Sequence, residues 1–225
     1  SFSPIGPSCL LAIVSITFLT EREALNEGFE PVVCHNIKSD KPTYYNGKEM
    51  VIKAVADKKT GKLLGVQIVG YTGVDKRIDV FVTAITFGAR VEDLFHLDLA
   101  YAPPFSTTKD PVMYTGMILD NAINRDRKLI TPNELHKLVE SRNDVTVIDA
   151  RICKQFEESH VDNAINIPHD EVRGKVDEFD KEKPIVTYCN KGVTGNAVQN
   201  ILINHGCKKA YNISGGHKNY KTQNK

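Results

Sequence analysis

Residues 184–196 read Pro-Ile-Val-Thr-Tyr-Cys-Asn-Lys-Gly-Val-Thr-Gly-Asn, and this stretch decides the fold of the second half of the chain. Its β-branched and aromatic opening predicts a strand, Ile185 to Tyr188. Two glycines then mark a short loop, and the sequence from Gly195 to His205 predicts a helix. The sequence therefore delivers a cysteine, Cys189, from the end of a strand to the start of a helix.

A cysteine in this position is a candidate nucleophile. The first N–H groups of a helix lack intrahelical acceptors, and the helix dipole places partial positive charge at that end. Both effects favour the thiolate, the reactive form of cysteine. We therefore predict that Cys189 is the catalytic residue. The loop predicted to hold its substrate consists of Asn190, Lys191, Gly192, Val193, Thr194 and Gly195.

The composition excludes several classes of protein. The 225 residues carry a net charge of +1, with 41% hydrophobic and 25% charged residues, so we expect a globular protein without a nucleic-acid partner. The five cysteines form no CxxC pair, which argues against a disulfide scaffold or a metal site and favours a cytoplasmic location. The apolar run Cys9 to Leu19 is shorter than the roughly 20 residues that span a bilayer. It predicts a buried strand and no membrane association.

The second half of the chain alternates short strands and helices, and one of the predicted helices is a charged segment over residues 170–179. A polar linker, residues 124–128, is followed by Thr131-Pro132-Asn133-Glu134, which combines an N-cap, a proline at the first helical position and a glutamate at N3. Such alternation in under about 100 residues indicates a small α/β domain with a parallel sheet, predicted for residues 127–225. Ligands in such sheets bind at the carboxyl ends of strands, where Cys189 lies.

The first half, residues 1–126, has a different pattern. A predicted hairpin (Met50 to Ala56 and Leu63 to Val69) precedes helices at residues 74–89, 91–97 and 112–124, and Asp110 is the predicted N-cap of the last helix. This order predicts an α+β domain, an antiparallel sheet with helices on one side. The apolar helix faces either belong to the domain's own core or form half of a subunit contact.

The loop from Ala100 to Pro111 carries a distinctive string, Tyr-Ala-Pro-Pro-Phe-Ser, from Tyr101 onward. Together with residues 63–70, it resembles the dimerisation domain of pyridine nucleotide-disulfide reductases, nearest to the coenzyme A-disulfide reductase and NADH oxidase/peroxidase branch. The resemblance covers about residues 10–125 and implies a homodimer. It also implies FAD, NAD(P)H and coenzyme A for a full-length protein, and places Tyr101 at the partner's active site. The alternative for Tyr101 is packing against prolines.

The chain departs from that family in one respect. Family members bind FAD and nicotinamide through Gly-x-Gly-x-x-Gly loops in preceding domains, and the sequence contains no such loop. The family's redox cysteine belongs to the same FAD domain. We therefore expect this chain alone to bind no cofactor and to have no reductase activity.

Three ordered motifs in the second half resemble the rhodanese (sulfurtransferase) domain over about residues 129–222. They are residues 147–151 (Val-Ile-Asp-Ala-Arg), residues 156–168 and residues 213–216 (Ile-Ser-Gly-Gly). The resemblance places Cys189 at the family's persulfide-carrying nucleophile. Many rhodaneses have arginines in the cysteine loop, whereas Lys191 is the only cation here, so we expect a persulfide or polysulfide donor rather than thiosulfate. A related phosphatase activity would need a longer loop closed by an arginine.

Asp149 and Arg151 end the first strand of this domain, and we expect them near the loop as supporting residues. Arg151 either adds positive field near the thiolate or braces the strand end by an ion pair. The mechanism needs no histidine base, so His160, His169 and His205 are expected to be structural or on the surface. Of the other cysteines, Cys153 is a possible resolving thiol, whereas Cys9, Cys34 and Cys207 are expected to be inert.

Two functions remain open from the sequence. In the first, Cys189 carries sulfur as a persulfide to or from a small thiol such as coenzyme A, within an FAD- and NAD(P)H-dependent reductase. In the second, the domain is a non-catalytic rhodanese-like binding or regulatory module on a dimerisation domain. Sulfur bound covalently to Cys189 would separate the two.

Overall fold

A computed structural model describes residues 12–141 and 144–223. The chain divides into two compact units. The first takes in the chain up to Pro31 and Ile37–Met117, and the second Val32–Asn36 and the chain from Ile118 onward. The sequence predicts a strand from Cys9 to Leu19, and the first part of this run lies outside the described residues. The described part contains a strand, Ala12–Phe18.

The first unit is built on a four-stranded sheet, among the residues described, with strand order β1-β4-β3-β2. β4 pairs antiparallel with both β1 and β3. The elements in this half of the chain are β1 (Ala12–Phe18), α1 (Glu21–Asn26), β2 (Pro31–Ser39), β3 (Glu49–Asp57), β4 (Leu63–Gly70), α2 (Val74–Thr86), α3 (Val91–Phe95) and α4 (Pro111–Asn124), with a 3-10 turn at Thr43–Tyr45. Residues 32–36 of β2 and the part of α4 from Ile118 onward are assigned to the second unit. The predicted hairpin is present as β3 and β4.

Arg77 of α2 is the polar centre of this unit. Its side chain is 1% exposed and its Nη2 lies 2.8 Å from Oδ2 of Asp110. It also donates to the carbonyl oxygens of Gly73 and Asp40 and to Oγ of Ser106. Asp110 in turn accepts from the amide of Val112, 3.0 Å away, and so caps α4 as the sequence predicted. One buried arginine thus fixes three loops of the unit.

The second unit is a five-stranded parallel sheet, among the residues described, with strand order β5-β9-β8-β6-β7. Its elements are β5 (Leu129–Ile130), α5 (Pro132–Ser141), β6 (Thr146–Asp149), α6 (Cys153–Glu158), β7 (Ile165–Asn166), α7 (Val172–Lys175), β8 (Ile185–Tyr188), α8 (Val193–Asn204), β9 (Ala210–Ile213) and α9 (Gly216–Gln223). The predicted capping box is present, because Thr131 and Glu134 exchange side-chain-to-backbone hydrogen bonds.

Alternate residues of the central strands enter two separate cores. Ile148 and Ile185 pack in a cluster with side chains of α7 and α8. Their neighbours Val147 and Val186 pack in the other cluster, which contains Leu135 and Tyr220. Both faces of the sheet are therefore covered by helices, as a parallel sheet requires.

Two helices differ most from the sequence prediction. The helix expected over residues 74–89 ends at Thr86, because Gly88 takes a left-handed conformation (φ +72°) that terminates it. The helix expected over residues 170–179 is a single α-turn, α7, followed by a 3-10 turn at Val176–Glu178. Gly174 lies inside that segment, and glycine weakens helix interiors.

Candidate active site

The site lies at the carboxyl edge of the parallel sheet. β6 and β8 pair so that Asp149 stands beside Tyr188, and the residues that follow both strands therefore leave the sheet at the same edge. A cavity of about 440 Å³ opens there. Its walls come from the segments after β6, after β7 and after β8. It is lined by Ala150, Arg151, Ile152, Gln155, Pro168, His169, Asp170, Cys189, Asn190, Lys191, Val193 and Thr194.

Cys189 lines this cavity and is buried, with 7% of its surface exposed. The chain then turns through Gly192, which forms the N-cap of α8 in a left-handed conformation (φ +94°). Of the predicted loop residues, Asn190, Lys191, Val193 and Thr194 reach the cavity wall. Gly192 and Gly195 are buried and shape the loop.

Hydrogen bonds hold the carbonyl groups of the cysteine loop. The amide of His217 donates to the carbonyl of Cys189 (2.8 Å), and the amide of Lys218 donates to that of Asn190 (3.1 Å). The side-chain nitrogen of Asn212 donates to the carbonyl of Gly192 (3.0 Å). In a trans peptide the N–H of the next residue points the opposite way. The N–H groups of Asn190 and Val193, both residues of the cavity wall, therefore point away from these anchors.

Two glycines allow the close packing behind the loop. A methyl group on Gly216 would collide with the carbonyl oxygen of Cys189 and lie 2.8 Å from the amide nitrogens of Lys191 and Gly192. A methyl group on Gly195 would collide with the side chain of Asn212 and lie 3.0 Å from Cα of Tyr188. The loop thus rests directly on the turn after β9.

Asp149 and Arg151 form a buried ion pair behind the cysteine. Nη2 of Arg151 lies 2.6 Å from Oδ2 of Asp149, and the two side chains are 4% and 0% exposed. Nη2 also donates to the carbonyl of Ser159 (2.7 Å). Burial acts to lower the pKa of Arg151, but the hydrogen bonds and charge of Asp149 outweigh it and raise that pKa. Arg151 is therefore a permanent, fully engaged cation.

His217 completes this network, and sequence reasoning missed it. Its Nδ1 lies 3.1 Å from Nη1 of Arg151, and because a guanidinium only donates, Nδ1 accepts and the ring proton belongs on Nε2. The ring stacks against Tyr188 and Tyr220. Burial, and next the charge of Arg151, lower the pKa of His217 to about 4. Burial is also the main cause that raises the pKa of Tyr188.

Other cavity residues also lay beyond the sequence analysis. Ile152 and Gln155 come from the start of α6, and Oε1 of Gln155 accepts from the side chain of Asn190 (3.2 Å). His169, expected to be structural or on the surface, lines the cavity together with Asp170. The available signal was position, since these residues directly follow β6 and β7 at the edge that carries Cys189.

The remaining candidates lie elsewhere. Tyr101, in the loop before α4 of the first unit, is about half exposed. Cys153 is exposed and does not line the cavity, Cys34 and Cys207 are buried, and Cys9 lies outside the described residues. Burial raises the pKa of Cys207. Across residues 12–141 and 144–223, no cluster of three or more His, Cys, Asp or Glu side chains suits a metal ion.

Two family models match the chain. Residues 13–111 match the pyridine nucleotide-disulphide oxidoreductase dimerisation domain, and residues 131–223 match the rhodanese-like domain. The thiosulfate sulfurtransferase GlpE of Coxiella burnetii is 32% identical over 94 residues, 42% of this chain and 87% of that protein. The chain belongs to the rhodanese-like family. Its rhodanese-like domain follows a reductase dimerisation domain, as the sequence predicted.

Two further proteins resemble this chain, and the second resembles nearly all of it. The NAD(P)H coenzyme A polysulfide/persulfide reductase of Pyrococcus horikoshii is 41% identical over 104 residues, which is 46% of this chain and 23% of that protein. The crystal structure of reduced Bacillus anthracis CoADR-RHD superposes with a TM-score of 0.87 at 32% identity, covering 94% of this chain and 39% of that one. The predicted fold class is confirmed. The chain spans about a quarter of the length of the first curated relatives it matches.

These relatives raise the question of cofactors. The sequence has no Gly-x-Gly-x-x-Gly loop, and the cavity at Cys189 presents a cysteine loop rather than a dinucleotide cradle, so the residues present do not fit FAD or NAD(P)H. No helix among the described residues has the length and apolar character needed to cross a bilayer.

Proposed function

We propose that the rhodanese-like domain transfers sulfur through a persulfide on Cys189. The observation that carries the proposal is the position of Cys189, a buried thiol that lines a cavity at the amino end of α8. The loop carbonyls are anchored behind it, which leaves N–H groups for the terminal sulfur of a persulfide anion. The rhodanese-like family model matches this domain, and so does a relative named as a thiosulfate sulfurtransferase, which supports an enzyme rather than an inert module.

We further propose that the domain works within a longer flavin-dependent reductase that uses NAD(P)H and coenzyme A. The Pyrococcus horikoshii relative, which is named an NAD(P)H coenzyme A polysulfide/persulfide reductase, supports this. The dimerisation domain supports a homodimer of such a protein. Placing a persulfide carrier on the same chain as a reductase would raise the local concentration of the carried sulfur.

In the proposed reaction the thiolate of Cys189 attacks the outer sulfur of a donor and then yields that sulfur to an acceptor thiol. The engaged Arg151 and the buried Asp149 keep the loop in place and take no part in proton transfer. Tyr101 is proposed to reach the partner's reductase site.

A sulfur-transfer assay with matched variants tests the proposal. The chain is incubated with an organic persulfide and an acceptor thiol, and the acceptor persulfide is measured over time. We expect Cys189→Ser to abolish transfer and Cys153→Ser, which changes an exposed cysteine outside the cavity, to retain it. Equal rates of sulfur transfer by Cys189→Ser and the parent protein would contradict the proposal.

A further inference from the structure

Two exposed apolar side chains stand at the cavity that contains Cys189. Ile152 is 60% exposed and Val193 is 59% exposed, and both line the cavity wall. Among the described residues from 127 onward, Ile165 is the third large apolar side chain with comparable exposure, and it lies outside the cavity. Exposed apolar groups gathered at a cleft often mark a ligand contact.

Ile152 occupies a position that its own helix does not favour. It is the N-cap of α6, where Ser, Thr, Asp and Asn are preferred, and it makes no side-chain capping bond. Its neighbour Arg151 is locked by Asp149 and by the carbonyl of Ser159. Ile152 thus neither caps the helix nor packs in the core. Residues that break local folding preferences in this way are typical of functional sites.

Val193 also has an exposed side chain on a fixed backbone, at the start of a different helix. It is the first residue of α8 and follows Gly192, whose left-handed conformation and anchored carbonyl fix the backbone there. The side chain cannot be withdrawn without moving the cysteine loop itself. Ile152 and Val193 therefore present fixed apolar surface from two different segments of the cavity wall.

The polar groups of the cavity wall also bear on which donor the site accepts. Asn190 and Gln155 form a neutral amide pair. Arg151 also lines the cavity, but all three of its guanidinium nitrogens are hydrogen-bonded to Asp149, Ser159 or His217, and the carboxylate of Asp149 offsets its charge. The wall thus offers apolar and neutral amide surface together with the charged side chains of Arg151, Lys191 and Asp170.

We propose that Ile152 and Val193 are specificity-determining residues that contact the carbon substituent of the sulfur donor, so that the site favours an organic persulfide with an alkyl arm over thiosulfate. The inference rests on the proposed function of Cys189. In the step concerned, Cys189–S⁻ attacks the outer sulfur of R–S–SH. A new S–S bond forms while that of the donor breaks, the electron pair leaves on R–S⁻, and the proton remains on the transferred sulfur, so no external oxidant or reductant is required.

The test measures the second-order rate constant for persulfidation of Cys189 by methyl, propyl and pentyl persulfide and by thiosulfate. For the parent protein we expect this rate constant to rise about twofold for each methylene added to the donor. Complete burial of each methylene would raise it about fourfold. Ile152→Ser and Val193→Ser should each lower the pentyl-to-methyl rate ratio about fourfold. Ile165→Ser is the matched control, because Ile165 is exposed outside the cavity, and it should keep the parent ratio.

A stability readout separates a binding role from a structural one. Because serine is a better N-cap than isoleucine, Ile152→Ser should unfold at the same or a higher temperature while it loses chain-length dependence. Rates independent of chain length in the parent protein, or parent-like ratios in both cavity variants, would overturn the inference while leaving Cys189 as a carrier. Failure of every donor to modify Cys189 would overturn the proposed function itself.

Discussion

Replacing His217 by Gln should remove an acid-sensitive element from the rhodanese-like domain. His217 is 5% exposed, and its neutral form accepts from Arg151 while its ring stacks between two tyrosines. The groups that act on its charge are Arg151, Asp149, Lys221 and His160, and burial is the largest effect. Gln retains an oxygen that can accept from Arg151 but does not titrate.

The magnitude follows from the difference between the folded and unfolded states. The pKa of His217 is about 4 in the folded domain, against 6.5 for an unperturbed histidine. Above pH 6.5 both states are neutral and the site contributes no pH dependence. As the pH falls below 6.5 the unfolded chain binds a proton that the folded domain does not, so stability decreases until about pH 4. The loss between pH 7 and pH 5 is about 2 kcal/mol.

The assay is urea denaturation at pH 7 and pH 5, followed by pulsed hydrogen–deuterium exchange in peptides from β8 and α8, which reports this domain alone. The free energy of unfolding of the parent should fall about 2 kcal/mol more than that of His217→Gln over this interval. His205→Gln, at an exposed histidine of the same domain, is the control and should follow the parent. Identical pH dependence in parent and His217→Gln would refute the reasoning.

Two other substitutions test the packing that positions the loops. Gly216→Ala forces a methyl group against the carbonyl of Cys189 at a residue with φ +60°, so persulfidation of Cys189 should slow roughly tenfold. Gly174→Ala is the control, because a methyl group there would meet no atom within 4 Å. Equal persulfidation rates in the two variants would contradict the account. Arg77→Met leaves the carboxylate of Asp110 buried without its partner, which should cost the dimerisation domain about 3–5 kcal/mol in urea unfolding. A loss smaller than about 1 kcal/mol would mean that the pair is dispensable.

Much of the architecture could be predicted because its signals are local. The capping box at Thr131, the cap at Asp110 and the β3–β4 hairpin each depend on residues a few positions apart, and the structure has all three. Helix ends were less predictable. The effect of Gly88 on the end of α2 depends on whether that glycine adopts positive φ, and its residue type alone does not decide this.

The wall of the candidate site was less accessible to sequence reasoning. Cys189 and its loop form one continuous segment, so their chemistry could be predicted together. The opposite wall, with Ile152, Gln155 and His169, comes from two other segments that only the parallel pairing of the strands brings to the cavity. His217 belongs to a fourth segment. Its hydrogen bond to Arg151 of the buried ion pair and its stacking against two tyrosines arise only in the folded domain. Such relations are tertiary and leave no local pattern.

The proposal that Cys189 carries sulfur is tested most directly by peptide-mapping mass spectrometry of the chain after brief exposure to an organic persulfide. The account predicts the mass of one added sulfur atom on the peptide that contains Cys189, its absence in Cys189→Ser, and its disappearance when an acceptor thiol is added. An unmodified Cys189 peptide, or sulfur found on exposed Cys153 instead, would contradict it.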